Sequence, residues 1–184
     1  MKIKTLLLPA IALTFFNCNN DADPYIISKH NVGLLTDSTQ VSELKYIYET
    51  DSIAKHIGGD EFTGDVNDIE IFENGGIHLL TLTPFEALDS TSYIKSVKIN
   101  DDRYHSEKGL TNQSTFKDIH SNYKISRIQN TINNIVVSVD EINAYFTIDK
   151  KDLPAELRYD MNLKIEAIQI PDNAKIKSFY IHWF

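Results

Sequence analysis

Apolar and polar residues alternate along this chain in short runs, and the period of each run predicts an element. Two runs have the helical period: Val41, Leu44, Ile47 and Tyr48, and later Phe116, Ile119 and Tyr123, with apolar side chains three or four apart. Each predicts an amphipathic helix of about three turns. Ser38 or Thr39 before the first, and Ser114 or Thr115 before the second, read as N-caps that accept from the free N–H groups of the first turn. Thr115 and Asp118 also have the spacing of a capping box. Other runs have a period of two. Asp68 to Phe72 and Ile77 to Thr83 flank Glu73-Asn74-Gly75-Gly76, a strong hairpin signal, while Asn134 to Val139 and Ala144 to Ile148 flank Asp140 to Asn143. After each hairpin comes one more alternating strand, Tyr93 to Ile99 and then Lys175 to Ile181, and the fragment Ile-Lys-Ser stands in both.

These elements come twice in the same order. Gly33-Leu34-Leu35-Thr36-Asp37-Ser38-Thr39 and Gly109-Leu110-Thr111-Asn112-Gln113-Ser114-Thr115 share glycine, leucine, serine and threonine in place, and each leads into one of the helical runs. The reading is therefore an α+β fold made of two tandem helix–hairpin–strand repeats, about 25–102 and 103–184, within one domain spanning 25–184. One short helix on a small sheet buries little, so the halves are expected to share an antiparallel sheet or pack together around one core. His56 to Asn67 and Lys151 to Met161 interrupt the pattern as loops, and the second contains Leu153-Pro154-Ala155-Glu156-Leu157, enough for one helical turn. Ile165 to Ile170 reads either as another strand or as the approach to the last one.

Ahead of the repeats, Lys2 and Lys4 precede an uncharged apolar stretch from Leu6 to Phe16. That is the outline of a secretory signal peptide. It is too short for the roughly 20 residues a spanning helix requires. The apolar stretch stops just before Cys18, the chain's single cysteine, and the polar segment Asn19-Asn20-Asp21-Ala22-Asp23-Pro24 follows. This arrangement predicts a signal at 1–17, a lipidated Cys18 and a tether over 18–24. Phe15-Phe16-Asn17 departs from the usual small-residue lipobox, and the alternative is that Cys18 merely lies near an ordinary cleavage site. Acyl chains on Cys18 would hold the domain on its membrane at about 0.8 kcal/mol per buried methylene. They would also leave the mature domain without a thiol for a disulfide, a metal or a nucleophile.

Charge narrows the partners further. The chain has 26 acidic and 18 basic residues, a net charge of -8, and loss of Lys2 and Lys4 with the signal takes it to -10. Such a surface is repelled by phosphates, which argues against nucleic acid and leaves membrane contact to the acyl chains.

Residues that could carry chemistry do not converge in sequence. The six histidines, His30, His56, His78, His105, His120 and His182, include no close pair with metal-ligand spacing. Ser38 and Ser114 lack the surroundings of a nucleophile elbow. The pairs Asp60-Glu61 and Asp101-Asp102 read as turn or surface residues, and Gly58-Gly59 and Gly75-Gly76 as turn glycines. No catalytic residue, cofactor site or metal site is expected. The C-terminal Phe179, Tyr180, Trp183 and Phe184 stand out instead. In a strand, Phe179 and Ile181 share one face while Tyr180 and His182 share the other. Core packing is the ordinary use of such residues. An exposed aromatic face offers a second use, which makes Tyr180, His182 and Trp183 candidate partner-binding residues.

Several of these segments together resemble a known family. They are Asn31-Val32-Gly33, the strand Ile94 to Ile99, Gly109 through Ile119, and Lys175-Ile176-Lys177-Ser178-Phe179-Tyr180-Ile181-His182-Trp183. In order and pattern they are similar to the sigma-E-regulated outer-membrane lipoproteins of enterobacteria, a domain of unknown function, and to uncharacterised lipoproteins of Bacteroidetes. The lipobox and the missing internal cysteines depart from that pattern. The resemblance implies an envelope lipoprotein, anchored in the outer membrane on its periplasmic or surface face, and supplies no activity or catalytic residue. Architecture alone is also similar to the tandem helix-and-sheet modules of the beta-lactamase-inhibitor protein and of small assembly lipoproteins, which present a sheet to a protein. The leading expectation is a non-catalytic lipoprotein that binds an envelope protein. The alternative is a small-ligand or carbohydrate-binding module using a cleft between the halves. An enzyme would require His78, His105, His120 or His182 to meet acidic residues in a cleft.

Overall fold

The computed structural model describes residues 23–58 and 66–183. The signal segment, Cys18 and most of the tether lie outside the described residues, as does the middle of the His56 to Asn67 loop.

Eight antiparallel strands form the main sheet. In chain order they begin with β4 (Ser52–Gly58), β5 (Val66–Phe72), β6 (His78–Pro84) and β7 (Ile94–Ile99). The second set is β9 (Arg127–Asn130), β10 (Asn134–Val139), β11 (Ala144–Asp149) and β12 (Ile176–His182). Their spatial order is β4-β5-β6-β7-β12-β11-β10-β9, so each half of the chain supplies one meander and the two meet where β12 pairs with β7. At this seam Phe179 lies opposite Ile99 and Ile181 opposite Val97. A small second sheet joins β1 (Ile26–Ile27), β2 (Asn31–Val32), β3 (Leu35–Thr36) and β8 (His105–Ser106) in the order β3-β2-β1-β8.

The fold is thus mostly β, and the expectation of an α+β fold of helix–hairpin–strand repeats is corrected. What each half contributes to the sheet is a four-stranded meander. The helical runs yield only α1 (Leu44–Ile47), one turn entered from a 3-10 turn at Val41–Glu43, and α2 (Phe116–Asn122), seven residues long. Neither run continues, because the chain after it must extend to become an outer strand, β4 or β9. Tyr123 is already extended, with φ -134° and ψ 150°. So short a helix is held by the apolar side chains it buries, such as Leu44, Phe116 and Ile119, and hardly by its own propensity.

Local chemistry fixes the helix starts. The Thr115 N–H and hydroxyl both donate to Asp118 Oδ2, at 2.7 and 2.8 Å, as the capping-box spacing predicts. In the first half the cap is Gln40, whose N–H donates to Glu43 Oε2 at 2.7 Å. Thr39 and Ser114 instead close the preceding turns, their hydroxyls accepting from the Thr36 and Thr111 N–H groups.

One face of the main sheet is apolar. Ile69, Ile71, Leu80, Leu82, Val97, Ile99, Val137, Phe146, Phe179 and Ile181 are all buried on it. The small sheet, the two helices and the segment from Leu153 to Ala174 cover them and complete a single core. Within that segment the chain makes 3-10 turns at Ala155–Leu157 and Ala167–Gln169, so no strand forms over Ile165 to Ile170. Arg103 ties the layers together at one end. Its guanidinium donates to both Glu73 oxygens, at 2.8 and 3.1 Å, to both Asp101 oxygens, at 2.9 and 3.0 Å, and to the Tyr25 hydroxyl at 2.9 Å. Those bonds hold the Asp101 carboxyl below its usual range, so Asp101 is occupied structurally.

Candidate functional site

The alternation that buries Val97, Ile99, Phe179 and Ile181 turns Ser96, Lys98, Tyr180 and His182 to the opposite face. Cross-strand register lines up Glu70, Thr81, Lys98, Tyr180, Tyr145, Ser138 and Arg127 in one row over seven strands. Each of these is half-buried or exposed. An antiparallel sheet tolerates such an arrangement, with one face on the core and the other open.

The open face carries an aromatic ridge. Tyr145 and Tyr180 stack with ring centroids 4.6 Å apart and planes 6° from parallel. His182 meets Tyr145 edge-on at 6.5 Å. Tyr145 leans towards β7, where its hydroxyl meets that of Ser96, and burial in this cluster raises its pKa. Its neighbour on β10 is Ser138, a small side chain, so the sheet is hollowed beside the ring. The open hollow has a volume of about 580 Å³, and its lining includes Gln129, Ser138, Asp140, Asn143, Tyr145 and His182. Nearer the other edge, Phe72 stacks on His78 at 4.6 Å, and Thr83 donates to Asp68 Oδ1 at 2.7 Å.

The three C-terminal candidates separate. Tyr180 and His182 belong to the open face. Trp183 is buried, with 2% of its surface exposed, and its indole N–H donates to the Lys29 carbonyl at 3.2 Å. Two positions beyond Ile181 it falls on the core side, so Trp183 is a packing residue and not a surface contact. Cys18 lies outside the described residues. Tyr145 was not among the residues singled out by sequence; its alternation with Ala144 and Phe146 together with the hairpin register would have placed it opposite Tyr180.

The described histidines stay apart. His30 pairs with Asp37 at 2.6 Å, His105 with Asp23 at 3.3 Å and His120 with Asp172 at 3.5 Å, at separate places on the surface. Among the described residues, no group of three His, Cys, Asp or Glu could hold a metal ion. The hollow does not lie between the halves. Its lining comes from β9, β10, β11, β12 and the turn at Asp140–Asn143, all in the second half.

Burial, assisted by the Lys95 charge, lowers the His182 pKa from its ordinary 6.5. Below that value the unfolded chain takes up a proton that folded His182 resists, so stability falls as pH drops towards the folded pKa. His182→Gln is expected to flatten the fall in Tm between about pH 7 and about pH 5. Thermal melts across that range check it, and parallel profiles for the two proteins would contradict the assignment.

No family model and no curated protein matches the chain. Among solved structures it is similar to the uncharacterized protein yfeY from Escherichia coli, with a TM-score of 0.56 at 15% identity. The likeness covers 85% of this chain and 98% of that one. At this identity it is a likeness of fold.

Proposed function

We propose that this chain is a lipid-anchored protein of the cell envelope, held at the outer membrane through acylated Cys18. Its domain is non-catalytic and binds another envelope protein through the open face of the main sheet. The observation that carries this reading is the two-faced sheet itself. One face is fully packed, while the other presents a half-buried row of tyrosines, threonine, lysine and glutamate across the width of the molecule. Tyrosine with a polar surround is the composition of transient protein interfaces.

The test uses a photo-crosslinking side chain placed at Glu70 or Thr81 in the full chain, in living cells. A discrete adduct of fixed mass is expected from these positions, and none from exposed Lys117 on α2. Adducts absent from the open face, or equal from Lys117, would refute the reading. The anchor is checked separately. Cys18→Ala should move the protein from the membrane fraction to the soluble fraction, and a variant that stays membrane-bound would remove the lipid from the account.

A second reading has one observation in its favour. The hollow beside Tyr145 has the size and mixed lining of a small-ligand site.

A further inference from the structure

We infer that the hollow bounded by Tyr145 and His182 is a binding site for a neutral sugar unit of an oligosaccharide. This rests on the open sheet face being a recognition surface, and it names a ligand class for one end of that face. The size fits: about 580 Å³ falls within the range of roughly 300–1,000 Å³ typical of ligand sites. Its walls have two characters. On one side stands the Tyr145 ring, fixed by its stack on Tyr180 and by the edge of His182, so its position is set before any ligand arrives. A rigid aromatic wall suits the C–H surface of a pyranose ring.

Around the rest of the hollow stand an amide at Gln129, a hydroxyl at Ser138, a carboxylate at Asp140 and an amide at Asn143. These groups can donate to and accept from hydroxyls together. Asn143 is placed by its backbone: it adopts a left-handed conformation with φ 51°, and its carbonyl accepts the His182 N–H at 2.9 Å. Its Nδ2 donates to the Lys29 carbonyl at 3.3 Å, which leaves Oδ1 as an acceptor. Asp140 accepts from the Ser126 hydroxyl at 2.6 Å through one oxygen, leaving the other for a ligand hydroxyl. The lining contains a carboxylate and neither lysine nor arginine, so it discriminates against uronic or sialic acids. A wholly apolar ligand would strip water from four polar groups and return nothing to them.

The experiment titrates the detergent-solubilised full chain by calorimetry. The probes are maltotriose, cellotriose and the trimer of N-acetylglucosamine, with trigalacturonic acid as the charged comparison. At least one neutral trimer is expected to bind with a Kd on the order of 1 mM or tighter. Tyr145→Ala and Gln129→Ala should each weaken that binding about tenfold, while Tyr145→Phe, which keeps the ring, retains it. Unchanged Tm and circular dichroism in Gln129→Ala, a substitution at an exposed position, separate loss of binding from loss of fold. No binding by any neutral trimer, preferential binding of the charged one, or affinity indifferent to both alanine variants overturns the assignment. Crosslinks from Glu70 and Thr81, on the far half of the sheet, would survive that failure. Their absence alongside sugar binding would instead sink the protein-partner reading alone.

Discussion

Replacing Phe146 with alanine is expected to lower the unfolding free energy by about 3–5 kcal/mol, the range for deleting a buried aromatic side chain. Phe146 has no exposed surface, and its ring lies 4.6 Å from that of Phe179, its partner across β11 and β12. Phe179 in turn faces Ile99 across the seam, so the pair packs where the two meanders join. The cavity left by alanine would open among β strands tied on both sides, which have little freedom to collapse into it. Urea denaturation measures the loss. Thr147→Ala, one residue along and on the other face, should stay within about 0.5 kcal/mol. Equal costs at the two positions would mean that the faces of β11 are assigned the wrong way round.

Gly33→Ala should rank next, and its comparison with Gly109→Ala isolates the cause. Both glycines have positive φ, 54° and 81°, and both open the matching stretches that lead to the helices. An alanine pays roughly 1–2 kcal/mol for the left-handed conformation at either site. Space differs between them. A Cβ on Gly33 would stand 2.4 Å from the Pro24 carbonyl oxygen and 3.0 Å from Tyr104 Cε1, whereas one on Gly109 meets nothing within 4 Å. A backbone oxygen cannot swing aside as a side chain can, so the Pro24 segment ahead of β1 and the Gly33 turn would have to separate. Chemical denaturation should find Gly33→Ala worse than Gly109→Ala by more than about 1 kcal/mol. Similar losses would show that conformation alone governs both sites.

The strands that alternate strongly were the legible part of this fold. Ile94 to Ile99 and Asn134 to Val139 have buried apolar residues on one side and, Val136 apart, polar ones on the other, and that contrast is written directly in the sequence. The edge strands were not legible, for the same reason in reverse. In β9, Arg127, Ile128, Gln129 and Asn130 are all at least partly exposed, and in β4 both Ala54 and Lys55 are exposed, so neither segment needs a marked pattern. Part of β4 therefore read as loop. Helical spacing misled because Phe116, Ile119 and Tyr123 can pack inward from two turns as well as from three. The site was half visible: alternation placed Tyr180 and His182 on one face. It could not reveal that small Ser138 leaves a hollow beside Tyr145, because that depends on pairing between strands. Nor could it separate Trp183 from its neighbours, since a terminal tryptophan serves equally well as core or as contact.

The position of β12 constrains how such a molecule can be made. It follows every other strand in the chain yet lies between β7 and β11, at the middle of the sheet. During synthesis, the earlier strands therefore emerge as two incomplete pieces, each with a long unpaired margin. Such margins invite pairing with the wrong chain. A polypeptide cut short before Ile176 would be left in that condition permanently, and a longer one passes through it until β12 has been made. Closure also joins segments far apart in sequence, a slow kind of step. Cellular quality control would meet these exposed margins first.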